Sequence, residues 1–299
     1  RLTDDAVKER ARAQSQQELL IAELNHRVRN ILNLIRGLIN QSKNEAGSIE
    51  EFSDIVGGRI SSLAAAHDNI TKGNWSAAPL SELIDTEAHA YLSKQKDRLN
   101  LTGPEAMVAP EAYTVLALVI HEMITNSAKY GSLSDSSGRL DITISRNSDD
   151  SLQIVWKESG GPPVKPPTRR GFGSTIIERS IPFELNGEAT VDYRLSGLEA
   201  SFCVPSRCVE WNGAFIGEPD GTKTMQKNDS APEGVPESVL LVEDSMIIAL
   251  DTEDCLRELG VEHVHVQSTV AGALSFLEKT KRGLAILDYN LGNESSERV

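Results

Sequence analysis

One stretch of the chain, YTVLALVIHEMITNSAKYGSLS at residues 113–134, most constrains the fold. Pro110 fits the first turn of a helix, where a missing N–H costs little, and Gly131 fits a left-handed position after the last turn. Apolar residues recur every three or four positions and predict one buried stripe: Tyr113, Leu116, Ile120, Ile124 and Ala128. The stretch therefore predicts a helix that packs along one face.

A second face of this helix carries Glu122, Asn126 and Lys129, because residues at i, i+4 and i+7 lie above one another. A carboxylate, an amide oxygen and a cation side by side suit Mg²⁺ and the phosphates that it carries, since Mg²⁺ prefers oxygen ligands. This pattern predicts that Asn126 and Lys129 bind Mg²⁺ or the phosphates that accompany it. An ordinary polar surface is the alternative, and spacing alone does not separate the two.

Two glycine-rich segments follow this helix. A strand predicted over residues 152–155 runs into a segment with Glu158 and a glycine pair, and a second glycine loop precedes a helix predicted from about residue 175. Glycine lets a backbone approach phosphates closely, and a helix N-terminus favours negative charge. The order of these segments predicts a nucleotide site. Its glycines are Gly160, Gly161, Gly171 and Gly173.

The motif His121-Glu122-Met-Ile-Thr-Asn126, followed by Trp156-x-Glu158 and Gly-Gly-Pro, resembles the ATPase domain of the HWE histidine kinases. That family is named for a His, a Trp and a Glu, which match His121, Trp156 and Glu158. The resemblance implies a Bergerat-type α/β sandwich, in which a mixed sheet lies under three helices. It also implies that the cofactors are ATP and Mg²⁺.

The same resemblance implies a role for most of these residues. Glu122 would be catalytic and polarise the attacking group, Asn126 would hold Mg²⁺, and Glu158 would recognise the adenine amino group. The four glycines would shape the pocket and a short lid over residues 162–170.

Two residues of the motif have open roles. His121 lies about 100° round the helix from Glu122, so it is either a structural residue beside the pocket or a direct participant. Trp156 alternates with Leu152 and Ile154 in the predicted strand, which favours a core position first and a pocket wall second.

The N-terminal region is predicted to form a helical hairpin, with one helix over about residues 3–42 and a second over about 49–71. Because His67 falls on the apolar stripe of the second helix, we expect a packed, hydrogen-bonded core histidine. An open apolar face on each hairpin favours a homodimer through a four-helix bundle. The alternative is that an upstream domain or the ATPase domain covers this face. The stripe comprises Ile49, Phe52, Val56, Ile60, Leu63 and His67.

His26 lies about 200° round the first helix from Leu24 and so points away from the apolar seam. A neutral exposed imidazole is a nucleophile near neutral pH, and Arg27 and Arg29 beside it suit an incoming phosphate. Spacing alone nevertheless favours an ordinary solvated histidine. The segment His26-Arg-x-Arg-Asn30 resembles the phosphoacceptor box of the same family, which implies that His26 is phosphorylated.

The C-terminal region begins with a strand that ends in Glu243 and Asp244, and a later strand ends at Asp288. Carboxylates at the C-terminal ends of parallel strands meet at one crevice of a doubly wound sheet, where they are expected to bind Mg²⁺. Taken singly, each acid also fits an ordinary turn. The set resembles a response-regulator receiver domain, which implies that Asp288 accepts a phosphoryl group. Because the chain stops after three of that family's five strands, we expect only the N-terminal part.

Composition excludes other classes of function. A net charge of −14 argues against a general nucleic-acid binder, and no apolar run reaches the roughly 18 residues that cross a membrane. The three cysteines form no C-x-x-C pair, which favours reduced thiols in a cytoplasmic protein. The first residue is not Met, so we expect a sensor domain upstream.

These observations predict a multidomain α and α/β fold. Its parts are a hairpin dimerisation and phosphotransfer domain at 1–75, an ATP-binding domain at 76–205, a linker at 206–237 and a partial receiver at 238–299. The predicted function is an autophosphorylating histidine kinase of a two-component system, which passes phosphoryl to its own receiver or to a separate response regulator. The alternatives are a Ser/Thr kinase of anti-sigma type and a non-catalytic dimeric phosphotransfer scaffold.

Overall fold

The computed structural model describes residues 31–43, 45–73, 75–92, 96–164, 166, 171–211, 238–279, 284–288, 290–291 and 294–296. His26 lies outside these ranges, so its predicted role as phosphoacceptor stays a prediction. Within them, every helix is too short or too polar to cross a membrane.

Helices and short strands alternate from the N-terminus through the middle of the chain. The helices are α1 over residues 31–42, α2 Ile49–Lys72, α3 Leu80–Leu92, α4 Pro110–Lys129 and α5 Phe172–Leu185. The strands are β1 Ala78–Pro79, β2 Leu99–Thr102, β3 Met107–Val108, β4 Arg139–Arg146, β5 Leu152–Ser159, β6 Glu188–Arg194, β7 Gly197–Val204 and β8 Val209–Glu210.

Five of these strands form a mixed sheet in the order β2-β4-β5-β7-β6, in which only β2 and β4 are parallel neighbours. One face of the sheet is buried: Leu152, Ile154, Trp156 and Glu158 of β5 point inward, whereas Val155 between them is 40% exposed. This alternation is typical of a half-buried strand. The inward face shares one apolar core with α3, α4 and α5. The arrangement fits an α/β ATPase domain, as the sequence predicts.

α4 is the most deeply buried helix of this region, and its burial exceeds the single stripe that the sequence predicts. Val115, Ala117, Leu118 and Val119 lie between the stripe positions and are also buried. A helix that is apolar on most sides must be covered on most sides. α2, α3 and α5 all contact α4, which explains how its additional apolar residues leave water.

Gly131, just after α4, does not adopt the predicted left-handed conformation, because its φ is −102°. A Cβ at this position would overlap Oε2 of Glu158. Glycine is therefore required here by the close approach of a carboxylate and not by the backbone angle.

α2 begins at the predicted residue, but it buries a different face. Arg59, Ser62, Ala66 and Ile70 are its buried residues, and the Ser62 hydroxyl donates to a carbonyl of α4 at 3.2 Å. Small and polar side chains let the two helices approach closely around Arg59, whereas Ile49 at the start of α2 is 81% exposed. The prediction of a packed histidine at position 67 is therefore wrong. The side chain of His67 is exposed, and its ring meets Trp75 edge-on with centroids 5.5 Å apart.

A second, small sheet closes the base of the ATPase-like unit. β3 pairs with β1 on one side and with β8 on the other, and Trp211 donates its indole N–H to the Asp150 carbonyl at 2.9 Å. These contacts extend the unit to Trp211, beyond the predicted boundary near residue 205. The remainder of the predicted linker, residues 212–237, lies outside the described residues.

The C-terminal region has three parallel strands in the order β10-β9-β11, where β9 is Ser238–Val242, β10 is His263–Gln267 and β11 is Leu284–Leu287. This order matches the first three strands of a doubly wound sheet with the order 2-1-3-4-5. The helices are α6 Met246–Glu258 and α7 Val270–Lys279, and two short strands follow, β12 Asn290–Leu291 and β13 Glu294–Ser295.

α6 packs against both α1 and α5. Asp251 of α6 accepts hydrogen bonds from Arg36 at 3.2 Å and from Asn40 at 2.8 Å. Between these contacts, a Cβ at Gly37 would lie 2.8 Å from the Ile247 side chain, so glycine permits the close approach of α1. The C-terminal region is thereby fixed on the helices that precede it.

Glu184 of α5 also contacts α6, since its carboxylate accepts a hydrogen bond from the Met246 N–H at 3.0 Å. Burial raises the pKa of Glu184 to about 8, and the nearby charge of Asp244 adds to that rise. The folded chain therefore holds a proton that the unfolded chain releases, and the associated stability is lost as the pH rises from about 4.5 to about 8.

We expect Glu184→Gln to become progressively more stable than the wild type as the pH rises through this interval, because glutamine has no proton to lose. Urea unfolding of both proteins between pH 5 and 8 measures the difference in the free energy of unfolding. Glu188→Gln, at an exposed position of β6, is the matched control. A difference that does not change with pH would contradict the expectation.

Candidate functional site

A cavity of about 1090 Å³ opens between α2, α4 and the N-terminal end of α5. Its size is sufficient for a nucleotide. The structure brings together here predicted site residues from three separate segments of the chain. Those that line the cavity are Glu122, Asn126, Lys129, Glu158, Gly171 and Gly173.

Glu122 is only 7% exposed, and a buried carboxylate needs a counter-charge. Arg59 of α2 supplies it, with its Nε 2.7 Å from a Glu122 oxygen. The guanidinium group is itself 2% exposed and also contacts Glu45 at 2.8 Å and Ser42 at 2.6 Å. Burial disfavours the charged form of Arg59, but the hydrogen bond and charge of Glu122, aided by Glu45, outweigh it. The pKa of Arg59 is therefore raised.

Sequence reasoning did not predict Arg59 or Glu45 as part of the site. One signal was present, because Arg59 lies on the same helical face as Ser62 and Ala66. A single long cation among small residues indicates a close helix contact with a buried partner. The identity of that partner, Glu122, depends on the tertiary fold.

α5 begins at Phe172, so the second glycine loop lies at the very start of the helix and not before it. The Gly173 N–H donates to the Glu45 carboxylate at 2.7 Å. A Cβ at Gly171 would lie 2.6 Å from the same oxygen, and a Cβ at Gly173 would overlap Glu122. Both glycines are thus required by the close approach of carboxylates to a helix N-terminus, where negative charge is stabilised.

Asn126 and Lys129 lie on the cavity wall, one and two turns beyond Glu122. Asn126 is half-buried and Lys129 is exposed. Within the described part of the chain, neither side chain has a hydrogen bond or an ion pair. An amide oxygen and an ammonium group at a cavity wall are suited to Mg²⁺ and to phosphate, respectively.

Glu158 is buried at the far end of the cavity, and two protein groups orient its carboxylate. One oxygen accepts from the Ser132 N–H at 2.7 Å, and the other accepts from the Trp156 indole N–H at 3.2 Å. A carboxylate has further acceptor sites, so it can still receive a hydrogen bond from a ligand. Trp156 is 1% exposed, which confirms its predicted core position, and it is absent from the described lining of the cavity. Its indole positions Glu158.

Gly160 and Gly161 do not belong to the described cavity lining. Gly160 has a φ of +70°, in the left-handed region, and its carbonyl accepts from the Ser137 hydroxyl at 3.1 Å. A Cβ at Gly161 would lie 2.5 Å from the Cα of Ser132. These two glycines therefore hold the turn after α4 against the end of β5.

His121 lines the cavity and is also held from behind. Its Nδ1 lies 2.9 Å from the Glu87 carboxylate of α3. On the other side, a Cβ at Gly58 would lie 2.9 Å from its Nε2, so glycine allows α2 to pass close to the ring. His121 thus joins α2, α3 and α4 at the edge of the cavity.

A second candidate site lies at the C-terminal ends of β9 and β11, where the ligand oxygens of Glu243, Asp244 and Asp288 lie within 4.8 Å of one another. Burial, together with the charges of Asp288 and Asp244, raises the pKa of Glu243 to about 8. Three carboxylates in this arrangement fit a hard divalent cation such as Mg²⁺. Its charge would relieve the repulsion among these carboxylates, which adds to the effect of burial on this pKa.

Comparison with known proteins finds similarity to histidine kinases. The family described as HWE histidine kinase matches residues 23–105, a segment that includes His26. The blue-light-activated histidine kinases of Brucella ovis and Brucella anthropi are 29% and 28% identical, each over 202 residues. Each match covers 67% of this chain and 41% of the relative, so the chain spans about two fifths of their length. The chain is thus similar to HWE histidine kinases over residues 23–105 and to blue-light-activated histidine kinases over 202 residues.

Solved structures with some similarity include the blue-light activated histidine kinase of Erythrobacter litoralis. It is 19% identical with a TM-score of 0.47, over 62% of this chain and 59% of that one. Its separately determined histidine kinase domain is 17% identical with a TM-score of 0.45, over 57% of this chain and 92% of that one.

We expect Trp156→Phe to weaken nucleotide binding roughly 3- to 10-fold, because a smaller aromatic ring fills the site but the hydrogen bond that orients Glu158 is lost. Calorimetric titration with ADP and Mg²⁺ measures the affinity. Trp211→Phe is the matched control, since its indole donates to Asp150 and not to a cavity residue. Equal affinities in both variants would contradict a positioning role for Trp156.

Proposed function

We propose that the chain is the core of an autophosphorylating protein histidine kinase in a two-component system. ATP binds with Mg²⁺ in the cavity beside α4, and its terminal phosphoryl group passes to His26. The observation that carries the proposal is the meeting of Glu122, Asn126 and the N-terminus of α5 at one cavity. The match of residues 23–105 to HWE histidine kinases supports it and favours it over the anti-sigma type of Ser/Thr kinase.

Each cavity residue has a distinct role in this proposal. Glu158 accepts a hydrogen bond from the adenine amino group, and Lys129 contacts the phosphates. Asn126 would hold Mg²⁺, which neutralises charge on the transferred phosphoryl group. Glu122 polarises the attacking imidazole of His26. The bond between the terminal phosphorus and its bridging oxygen breaks, a bond from phosphorus to the imidazole nitrogen forms, and ADP leaves.

We further propose that the C-terminal region is the first part of a receiver domain, and that Asp288 or a separate response regulator accepts the phosphoryl group from His26. The parallel order β10-β9-β11 and the proximity of Glu243, Asp244 and Asp288 support this assignment. Mg²⁺ would bind to these three carboxylates. The receiver would then lie against α1, on the same helix that the sequence predicts to carry His26.

A homodimer through the hairpin is part of the same proposal. α4 covers the face of α2 that carries Arg59, and the apolar stripe lies elsewhere on the helix. Ile49 on that stripe is 81% exposed, and Leu32 of α1 is 60% exposed. Because the ATPase-like unit leaves these apolar side chains exposed, we propose that a second copy of the chain buries them. Sedimentation of the full chain tests this, and a monomer at all concentrations would contradict it.

Labelling with γ-phosphate-labelled ATP and Mg²⁺ tests the proposed activity. We expect wild type to acquire a label that acid removes and base preserves, as for phosphohistidine, and we expect His26→Ala to acquire none. A base-labile label that both Asp288→Asn and His26→Ala abolish would show onward transfer from His26 to the receiver. An acid-stable label in His26→Ala would contradict the proposal in favour of a Ser/Thr kinase. Nucleotide binding without any label would favour the non-catalytic scaffold.

A further inference from the structure

One buried cation connects the hairpin to the candidate phosphate site. Arg59 bridges two carboxylates, with Glu122 at 2.7 Å on one side and Glu45 at 2.8 Å on the other. Glu45 is itself 15% exposed at its side chain, and its other oxygen accepts from the Gly173 N–H at 2.7 Å. The Arg59 guanidinium also lies 5.1 Å from the centre of the Phe172 ring, at the first residue of α5.

The carboxylate of Glu45 has the contacts that a phosphate requires. A backbone N–H at a helix N-terminus and a guanidinium group are the two donors that most often hold phosphate oxygens in proteins. Glycine at position 171 leaves room for this anion, because a Cβ there would lie 2.6 Å from the Glu45 oxygen. The Glu45 carboxylate thus lies between the cavity and the N-terminus of α5, at a position suited to a phosphate group.

We propose that Arg59 is a positioning residue of the phosphoryl-transfer site and that Glu45 occupies the place of the terminal phosphate of ATP. This inference rests on the proposed kinase function. On ATP binding, the terminal phosphate takes over the Gly173 N–H and the outer edge of the Arg59 guanidinium. Glu45 leaves the site, while the Nε of Arg59 stays on Glu122 and keeps that buried carboxylate paired.

This exchange links the nucleotide to the hairpin. Glu45 belongs to the connection between α1 and α2, and Arg59 also donates to Ser42 at the end of α1 at 2.6 Å. A triphosphate that displaces Glu45 therefore releases the connection that follows α1, the helix that the sequence predicts to carry His26. A diphosphate lacks the group that competes with Glu45 and leaves this contact in place.

The test compares nucleotides that differ only in the terminal phosphate. Full-length wild type and Glu45→Gln are titrated with ADP and with a non-hydrolysable ATP analogue, each with Mg²⁺. We expect Glu45→Gln to bind the analogue roughly 3- to 10-fold more tightly and ADP about equally, because an uncharged competitor is easier to displace. If Glu45 has only a structural role, Glu45→Gln would bind both nucleotides more weakly or leave both affinities unchanged.

Glu50→Gln is the matched control, since it removes the same charge from an exposed position in the first turn of α2. We expect it to leave the ratio of the two affinities unchanged. An unchanged ratio in Glu45→Gln as well, with both nucleotides bound, would overturn the inference and leave the proposed function standing. Failure of wild type to bind either nucleotide would overturn the proposed function itself.

A second variant tests Arg59 directly. Lysine keeps the charge but lacks the planar group that contacts Glu122 and the Glu45 position through separate nitrogens. We therefore expect Arg59→Lys to lose affinity for the ATP analogue several-fold more than for ADP. Equal losses for both nucleotides would indicate that Arg59 only holds the fold. This arm decides the question even where Glu45→Gln is poorly folded.

Discussion

The burial of one carboxylate, Glu122, is the constraint on which the rest of the site depends. α4 is covered on most sides, and a charge in such a helix is tolerated only with a close and well-bonded partner. Arg59 meets this need from α2, and losing one member of such a buried pair costs about 3–5 kcal/mol. The inner face of α2 must therefore be small and polar around Arg59. Ser62 and Ala66 meet this requirement, while Ile49 lies outside the buried face of α2.

The remaining donors of Arg59 organise the neighbouring elements. Through Ser42 and Glu45 they fix the end of α1 and the turn that follows it, and through Glu45 they reach the first turn of α5. Four helices, α1, α2, α4 and α5, thus meet around one ion pair. The cavity next to this meeting point presents the amide of Asn126 and the ammonium of Lys129 on one wall. The opposite end holds Glu158, oriented by Trp156.

Patterns within single elements predicted much of this. The helical period placed Glu122, Asn126 and Lys129 on one face of α4, and the glycines of the second loop marked the start of α5. What the sequence did not reveal depends on contacts between elements. Glu158, the hydrogen-bond partner of Trp156, lies two residues away on the same inward face of β5. The orientation of the Glu158 carboxylate toward Ser132, however, depends on the turn after α4. Likewise, the exposure of His67 follows from which face α2 buries. That face is set by the pairing of Arg59 with Glu122, and no pattern within α2 reveals that α4 carries a buried carboxylate.

Titration of wild type and Asn126→Ala with ATP and Mg²⁺ tests whether this cavity binds the nucleotide, since Asn126 lies on the cavity wall beside Glu122 and is proposed to hold the metal. We predict that wild type binds ATP in the presence of Mg²⁺ and that this binding is lost in Asn126→Ala. Asn100→Ala, which alters an exposed asparagine of β2 that bonds Asp141 at 3.0 Å, should bind as wild type does. Equal binding by Asn126→Ala and wild type would contradict the account.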